Sequence, residues 1–137
     1  MSNNIDISID KEKLERCINL LSKLKKIECE ITYSKLSEED INKGIKPCPY
    51  PHYNYPEELF EVEELLTPDY NYSDNLEKPP FINRKIDNLD YSTLNVENIR
   101  TVITVIFRGE RFCDGSIARG VESGVLLNSL LRLRELI

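Results

Sequence analysis

Residues 95–115 read NVENIRTVITVIFRGERFCDG, an apolar run followed by a segment that mixes both charges. The apolar side chains recur at the spacing of one helical face: Ile99, Val102, Ile103 and Ile106. Five consecutive β-branched residues, 101–105, favour a strand by propensity, but the sequence offers no convincing strand to pair with them. We therefore predict a buried helix that begins at Val96, after a cap at Asn95 or just before it. If this helix continues through Gly109 to Phe112, Thr104, Arg108 and Arg111 fall along one of its sides.

The segment Arg108–Gly115 places two arginines, two carboxylates, an aromatic ring, a thiol and two glycines within eight residues. This mixture is typical of a buried polar junction or of a recognition site. Glu110 lies four residues beyond Ile106, so it emerges from the apolar face of the predicted helix, where an unpaired carboxylate is costly. The candidates to pair it are Arg111, Arg119 and Arg132.

Two more helices are predicted after this segment. Asp114 is expected to cap the first of them, and Gly124 to end it. Gly120, inside that helix, should allow a backbone or a ligand to approach closely. The last helix, Val125–Ile137, is rich in leucine and should be buried on two sides. With the helix before them, they form a three-helix C-terminal unit, residues 95–137.

The sequence before residue 95 predicts shorter secondary-structure elements. Asp10 caps an amphipathic helix that ends near Lys26. Apolar and polar residues alternate over 27–33 as in a half-buried strand, yet these residues could also continue that helix. We predict helix, because no second convincing strand is present to pair with them. Ser37–Asp40 has the pattern of a capping box that opens a short helix.

Residues 47–56 form a connector rich in proline and tyrosine, and prolines at this density hold the chain extended. Its tyrosines should pack over a neighbouring helix, with stacking on a base or sugar as the alternative. A helix with an acidic outer face is predicted over 56–66 and a short one over 69–77. Residues 79–94 are a loop with four apolar anchors: Phe81, Ile82, Ile86 and Leu89.

The expected fold is all-α (mainly α): a single compact helical domain, residues 1–137, with the C-terminal unit and the Tyr/Pro-rich connector. The chain has 137 residues, of which 40% are hydrophobic and 31% charged, as in one soluble domain. No apolar run is long enough to span a bilayer, and the polar, acidic N-terminus is unlike a secretory signal. We therefore expect a cytoplasmic protein with no membrane partner.

The four cysteines and the single histidine do not predict a metal site. The cysteines lie far apart without a C-x-x-C pair, and His52 is distant from most of them in sequence. Disulfides are disfavoured in a cytoplasmic chain. We expect reduced thiols, with Cys17 and Cys113 partly or wholly buried, and neither a metal nor a cofactor.

The formal net charge of −6 is unevenly distributed. All six cations after Asp90 are arginines, whereas ten of the twelve before it are lysines. The planar guanidinium suits buried carboxylates and two-pronged binding of carboxylate or phosphate. The late arginines should therefore either pair with nearby acids or bind an anionic ligand.

Three features stand out between Asn95 and Leu136: the run Ile-Arg-x-x-x-Thr-x-x-x-Arg-Gly-Glu-Arg-Phe-Cys-Asp-Gly, a downstream Glu-x-Gly and a leucine-rich end. In these features the segment resembles a widespread family of uncharacterised bacterial domains. The tyrosine-proline stretch, residues 49–55, and the acidic helix after it match that family loosely. The resemblance implies a helical domain. It also implies a distant connection with nucleotides, since some members are joined to macrodomain proteins that process ADP-ribose. It implies no activity.

We predict a non-enzymatic binding module with a polar notch of arginines and acids. Its partner would be a phosphate-bearing nucleotide, ADP-ribose-like or signalling, or an acidic protein segment. The same residues would equally suit an internal ion-pair network that locks the last three helices. The candidate ligand-binding residues are Arg108, Glu110, Arg111, Phe112, Asp114, Arg119, Tyr53 and Tyr55.

Other function classes have weaker support. Cys113, Asp114 and His52 could imitate a nucleophilic triad, and Glu110 with Asp114 an acid–base pair, but the spacing supports neither. The sequence lacks a glycine-rich phosphate loop after a strand, and its acidity disfavours direct nucleic-acid binding. One alternative is a small acidic antagonist of a host defence, encoded by a phage or mobile element, that binds a protein or sequesters a ligand. Another is an enzyme or accessory domain that processes nucleotides or ADP-ribose. Self-association stays open.

Overall fold

The computed structural model describes residues 9–112 and 114–137, and these are mainly helical with one small sheet. The strands are β1 (Glu28–Tyr33) and β2 (Pro49–Asn54). Short 3-10 helices lie at Glu57–Glu61, Glu63–Leu65 and Tyr91–Thr93. The α-helices are α1 (Lys11–Lys23), α2 (Glu38–Asn42), α3 (Tyr72–Asn75), α4 (Val96–Gly109), α5 (Ser116–Glu122) and α6 (Val125–Leu136).

Helix α4 lies at the centre of the core because apolar residues occupy most of its circumference. It packs against α3, α5 and α6, and α6 also packs against α1 and α5. A capping box begins α4: the Asn98 amide donates to the Asn95 side chain at 2.8 Å, and the Asn95 amide donates to the Asn98 side chain at 3.0 Å. The predictions of a helix after Asn95 and of a three-helix C-terminal unit are confirmed.

Residues 27–33 correct the all-helical prediction, because β1 is a strand whose partner is the predicted connector. β1 and β2 pair antiparallel as a two-stranded sheet, here called the β-ribbon, with Ile31 opposite Pro51 and Tyr33 opposite Pro49. In antiparallel pairs, the N–H groups of alternate residues point away from the partner strand. The two prolines are two residues apart, so both missing N–H groups fall on the outer edge of β2, where a proline breaks no ladder bond.

The helix predicted over 56–66 is present as two short 3-10 helices and not as one continuous helix. Leu59, Val62 and Leu65 are buried at intervals of three residues, which matches the three residues per turn of a 3-10 helix. Among the predicted anchors of the loop over 79–94, Phe81 is buried but Ile82 is 75% exposed. The short predicted helix near residue 72 is present as α3.

Cys17 is buried, as predicted, whereas Cys29 and Cys48 are exposed free thiols. Cys113, for which burial was also predicted, lies outside the described residues. Burial raises the pKa of the Cys17 thiol to about 11. Within residues 9–112 and 114–137, every helix is too short or too polar to cross a membrane.

Candidate functional site

The carboxylate of Glu110 is the centre of a hydrogen-bonded cluster, here called the Glu110 junction (Tyr55, Glu110, Gly115, Ile117 and Ala118). Its Oε1 accepts from the Tyr55 hydroxyl at 2.8 Å and from the Ile117 amide at 2.9 Å. Its Oε2 accepts from the Gly115 amide at 2.9 Å. The Tyr55 hydroxyl in turn accepts from the Ala118 amide at 3.2 Å. One acid and one phenol therefore satisfy three backbone amides.

These amides belong to the N-terminus of α5, whose cap residue is Gly115. Because glycine has no side chain, it cannot satisfy the first amides of the helix as serine or aspartate would. Glu110 takes that role from the preceding turn and places its negative charge at the positive end of the helix dipole. The prediction of Asp114 as the cap is wrong, and Asp114 is exposed.

Two glycines allow the chain to reverse at this junction. Gly115 has φ +94°, and a Cβ there would lie 2.7 Å from the Tyr53 hydroxyl oxygen. At Gly109 a Cβ would lie 2.6 Å from Oγ of Ser116, which donates to the Ile106 carbonyl at 2.7 Å. The serine thus caps the last turn of α4, and the helix ends at Gly109 without continuing to Phe112.

The prediction that the Glu110 carboxylate needs partners within the protein is confirmed, but the groups that donate to it are uncharged. Arg132, one of the three expected partners, donates instead to the Leu94 carbonyl and to Glu135. Burial and the hydrogen bond to Glu110 both raise the pKa of the Tyr55 hydroxyl, which therefore remains a neutral donor. The junction is built as a structural tie between β2, α4 and α5.

The predicted arginines lie elsewhere, on more than one surface. Arg108 and Arg111 line a cavity of about 280 Å³ between α4 and residues 63–70, here called the arginine groove. Arg119 lines a different cavity beside Gly120 and Ser123. Phe112 is 79% exposed. The structure therefore divides the predicted notch into the Glu110 junction and the arginine groove.

Arg100 also lines the groove, although it is not among the predicted ligand-binding residues. Its Nη1 donates to both carboxylate oxygens of Glu97 at 3.0 Å, while its buried Nε lacks a hydrogen-bond partner among the described residues. Arg100, Thr104 and Arg108 stand four residues apart on α4, so they lie along one side of the helix. That spacing was the signal in the sequence that could have identified Arg100.

The opposite wall of the groove is fixed to α4 by Asp69, which is buried. Its carboxylate accepts from the Thr101 hydroxyl at 2.6 Å and from the Asn75 amide at 2.8 Å, and its backbone N–H donates to Thr104 Oγ1 at 2.9 Å. Burial opposes the charge of Asp69, but the hydrogen bonds that its carboxylate accepts outweigh burial and lower its pKa. The groove is therefore held by a buried polar network.

The open side of the groove combines guanidiniums with aromatic rings. Tyr70 lines the groove and is 80% exposed. The Arg108 guanidinium lies over the Tyr72 ring, 5.6 Å from its centroid, which fixes the direction of the side chain. Glu63 is the acid among the lining residues, against Arg100, Arg108 and Arg111. Positive charge therefore predominates in the groove.

The predicted tyrosine contacts belong to the junction and the core. Tyr53 and Tyr55 stack with ring centroids 6.0 Å apart, and Phe60 contacts both Tyr55 and Phe107 edge-on. The preferred interpretation, that the tyrosines of the connector pack within the protein, is confirmed for Tyr53 and Tyr55, which lie against the core, whereas Tyr50 is 55% exposed. The acidic segment is also partly used within the protein, since Glu61 pairs with Arg16 at 3.3 Å and Glu64 with Lys13 at 3.0 Å.

Comparison with known proteins identifies a family without an assigned role. Neither the curated proteins nor the solved structures give a significant match. A family model described as a family of unknown function (DUF6508) matches residues 9–137, which is nearly the whole chain. The protein therefore belongs to this family of unknown function.

Proposed function

We propose that this protein is a binding module whose ligand carries phosphate and is held in the arginine groove by Arg108 and Arg111. The observation that carries the proposal is the lining of this cavity by three arginines against one acid. Guanidinium groups bind phosphate through paired, charge-assisted hydrogen bonds. The proposed setting is the cytoplasm, where phosphate-bearing nucleotides are made.

The ion pairs and hydrogen bonds of the groove arginines support this proposal. Arg108 and Arg111 form no ion pair with any residue that the structure describes, so a ligand would not have to displace an acid from them. Arg100 holds its guanidinium in place through Glu97, and its buried Nε is the kind of unsatisfied donor that an anion can compensate. Tyr70 offers an exposed ring on which a base or sugar could pack.

The size of the groove favours a small ligand over an acidic protein segment. Pockets for small molecules usually enclose about 300–1,000 Å³. A cavity of about 280 Å³ would therefore admit a phosphate and part of the group attached to it, with the rest lying over Tyr70. The family resemblance suggests ADP-ribose as one ligand to test, and signalling nucleotides as the others.

The test compares ligand binding by the wild type and by the double variant Arg108→Gln/Arg111→Gln. Isothermal titration calorimetry would measure binding of ADP-ribose, ATP and cyclic dinucleotides, with a glutamate-rich peptide as the acidic-segment arm. A hydrogen bond to a charged group contributes about 1.5–3 kcal/mol. Loss of either arginine should therefore weaken binding about tenfold or more, and loss of both should abolish it.

The matched control is Arg16→Gln/Arg134→Gln, which removes the same charge from exposed arginines outside the groove. We expect the control to bind as the wild type does. Equal weakening in both double variants would show that only net charge matters, and would refute a groove site. Binding of the peptide alone would assign the groove to an acidic protein partner. The absence of binding to every probe would refute the anion-binding proposal.

A further inference from the structure

The two edges of the β-ribbon differ in their capacity to accept another strand. The Ser34 amide donates to the Cys48 carbonyl at 3.0 Å, which fixes the alternation of ladder bonds along the ribbon. By that alternation, the backbone groups of Pro49, Pro51 and Tyr53 point outward from β2. Because proline has no N–H, this edge lacks two of its three donors and resists further pairing.

The outer edge of β1 has no such protection. The outward-pointing backbone groups of β1 belong to Cys29, Ile31 and Tyr33, and each of these residues has an N–H. All six residues of the strand are exposed, with Ile31 at 60% and Tyr33 at 63%. Among the residues that the structure describes, β1 pairs with β2 alone. An open edge that also carries apolar side chains is a site for strand addition.

We propose that β1 pairs with β1 of a second copy of this chain, antiparallel and with Ile31 opposite Ile31. The two ribbons would then form a continuous four-stranded sheet across a twofold axis. This pairing joins the outward positions 29, 31 and 33 through about six backbone hydrogen bonds. Such a twofold contact is closed, because each edge that it uses is occupied by the other copy.

The charges of β1 disfavour the registers that are shifted toward its N-terminal end. Like charges directly opposite each other in a sheet are destabilising. Shifting the pairing to place Cys29 opposite Cys29 or Ile31 would set a glutamate of one copy against a glutamate of the other. With Ile31 opposite Ile31, Glu30 instead faces Thr32 and Glu28 faces Ser34, so each carboxylate lies beside a hydroxyl group.

The same register also matches the apolar side chains. Cys29, Ile31 and Tyr33 lie on one face of β1, which they share with Pro49, Pro51 and Tyr53 of β2. Pairing across the axis places Ile31 against Ile31 and Cys29 against Tyr33. The apolar face of each ribbon would thus continue into that of the other copy. A parallel pairing in register would stack Glu28 on Glu28 and Glu30 on Glu30, which argues for the antiparallel arrangement.

Ile31→Pro tests the edge, because it should give β1 the block that Pro51 gives β2. The N–H lost points outward, so the ladder between β1 and β2 keeps its hydrogen bonds. Sedimentation should give the mass of two chains for the wild type and of one chain for Ile31→Pro, whose circular dichroism should still be that of the folded chain. The control, Ile41→Ala, removes an equally exposed isoleucine from α2 and should remain a dimer.

Tyr33→Cys tests the register without depending on the tolerance of proline. Paired residues of this type have Cα atoms about 5.5 Å apart, within the range of a disulfide. Oxidation should therefore link the introduced thiol of each copy to Cys29 of the other, and Cys29→Ser in the same chain should prevent the link. A monomeric wild type, or a dimer that survives Ile31→Pro, would overturn the proposal. A dimer that Tyr33→Cys does not cross-link would overturn the register, and pairing of β1 only with a different protein would overturn the proposal itself.

Discussion

The Glu110 junction and the arginine groove meet at the same end of α4, but they differ in how fully their polar groups are used. At the junction, both carboxylate oxygens of Glu110 and the Tyr55 hydroxyl are bonded within the protein. In the groove, Arg108 and Arg111 face a cavity and pair with none of the acids that the structure describes. Neighbouring residues of one segment therefore serve different purposes.

This difference shows why a dense mixture of charges should not be taken as one site. An acid beside a helix terminus has backbone amides as ready partners, and these compete with any arginine for it. The arginines that remain are then available to a ligand. Substitutions at the junction should consequently affect stability, and substitutions in the groove should affect binding.

Glu110→Ala should produce the largest loss of stability. It would leave the amides of Gly115 and Ile117 without their acceptor and would remove the cap of α5. An unsatisfied buried donor costs about 1–3 kcal/mol and a lost cap about 1 kcal/mol, so we expect a loss of about 3 kcal/mol. Chemical denaturation would measure it.

Glu110→Gln is the matched comparison for that variant. Its amide oxygen can still accept the hydrogen bonds made to one of the two carboxylate oxygens, so the loss should be about half as large. A loss below about 0.5 kcal/mol in Glu110→Ala, the range typical of surface positions, would contradict a structural role for the junction.

The sequence predicted α4, and it predicted that an unpaired Glu110 carboxylate would cost free energy. Both predictions follow from the positions of residues around one helix. Burial of Ile99, Val102 and Ile106 repeats at helical spacing, and Glu110 falls at the end of that stripe. Its actual partners depend on a chain reversal at Gly115, which brings together residues that no periodicity connects. The sequence therefore predicted that Glu110 needs partners without identifying them.

The β-ribbon could not be predicted from a burial pattern, because β1 is exposed along its whole length. Alternation at residues 27–33 is visible, but prolines at the density of the connector predict an extended chain without regular structure. Prolines at alternate positions, here Pro49 and Pro51, are compatible with the outer edge of a strand. Their spacing, rather than their number, was the informative feature.

Tyr55→Phe should have a smaller effect than Glu110→Ala. It removes one hydrogen bond to Glu110 and one from Ala118, while the ring keeps its packing against Tyr53 and Phe60. We expect a loss of about 1–2 kcal/mol at neutral pH by chemical denaturation. The control is Tyr50→Phe, which changes an exposed tyrosine on β2, the strand that ends just before Tyr55, and should leave stability unchanged.

The pH dependence of stability tests whether the Tyr55 hydroxyl is a neutral donor in the Glu110 junction. The folded state raises the pKa of Tyr55 above its unfolded value near 10.0, so this contribution to stability is complete below pH 10 and is lost as the pH rises above it. Tyr55→Phe should therefore lose less stability above pH 10 than the wild type does. The decline between about pH 9 and 11 due to the Cys17 thiol should remain in both. Equal slopes above pH 10 would contradict the neutral phenol in the junction.

Arg111→Ala should have the smallest effect on stability, although Arg111 is only one residue from Glu110 in sequence. Arg111 is exposed and pairs with none of the described acids, so its truncation removes little that the folded state requires. We expect the free energy of unfolding to change by less than about 0.5 kcal/mol. If Arg111→Ala instead destabilised the protein as strongly as Glu110→Ala, the groove and the junction would be one ion-pair network. The arginine would then lock the helices and would not be available to a ligand.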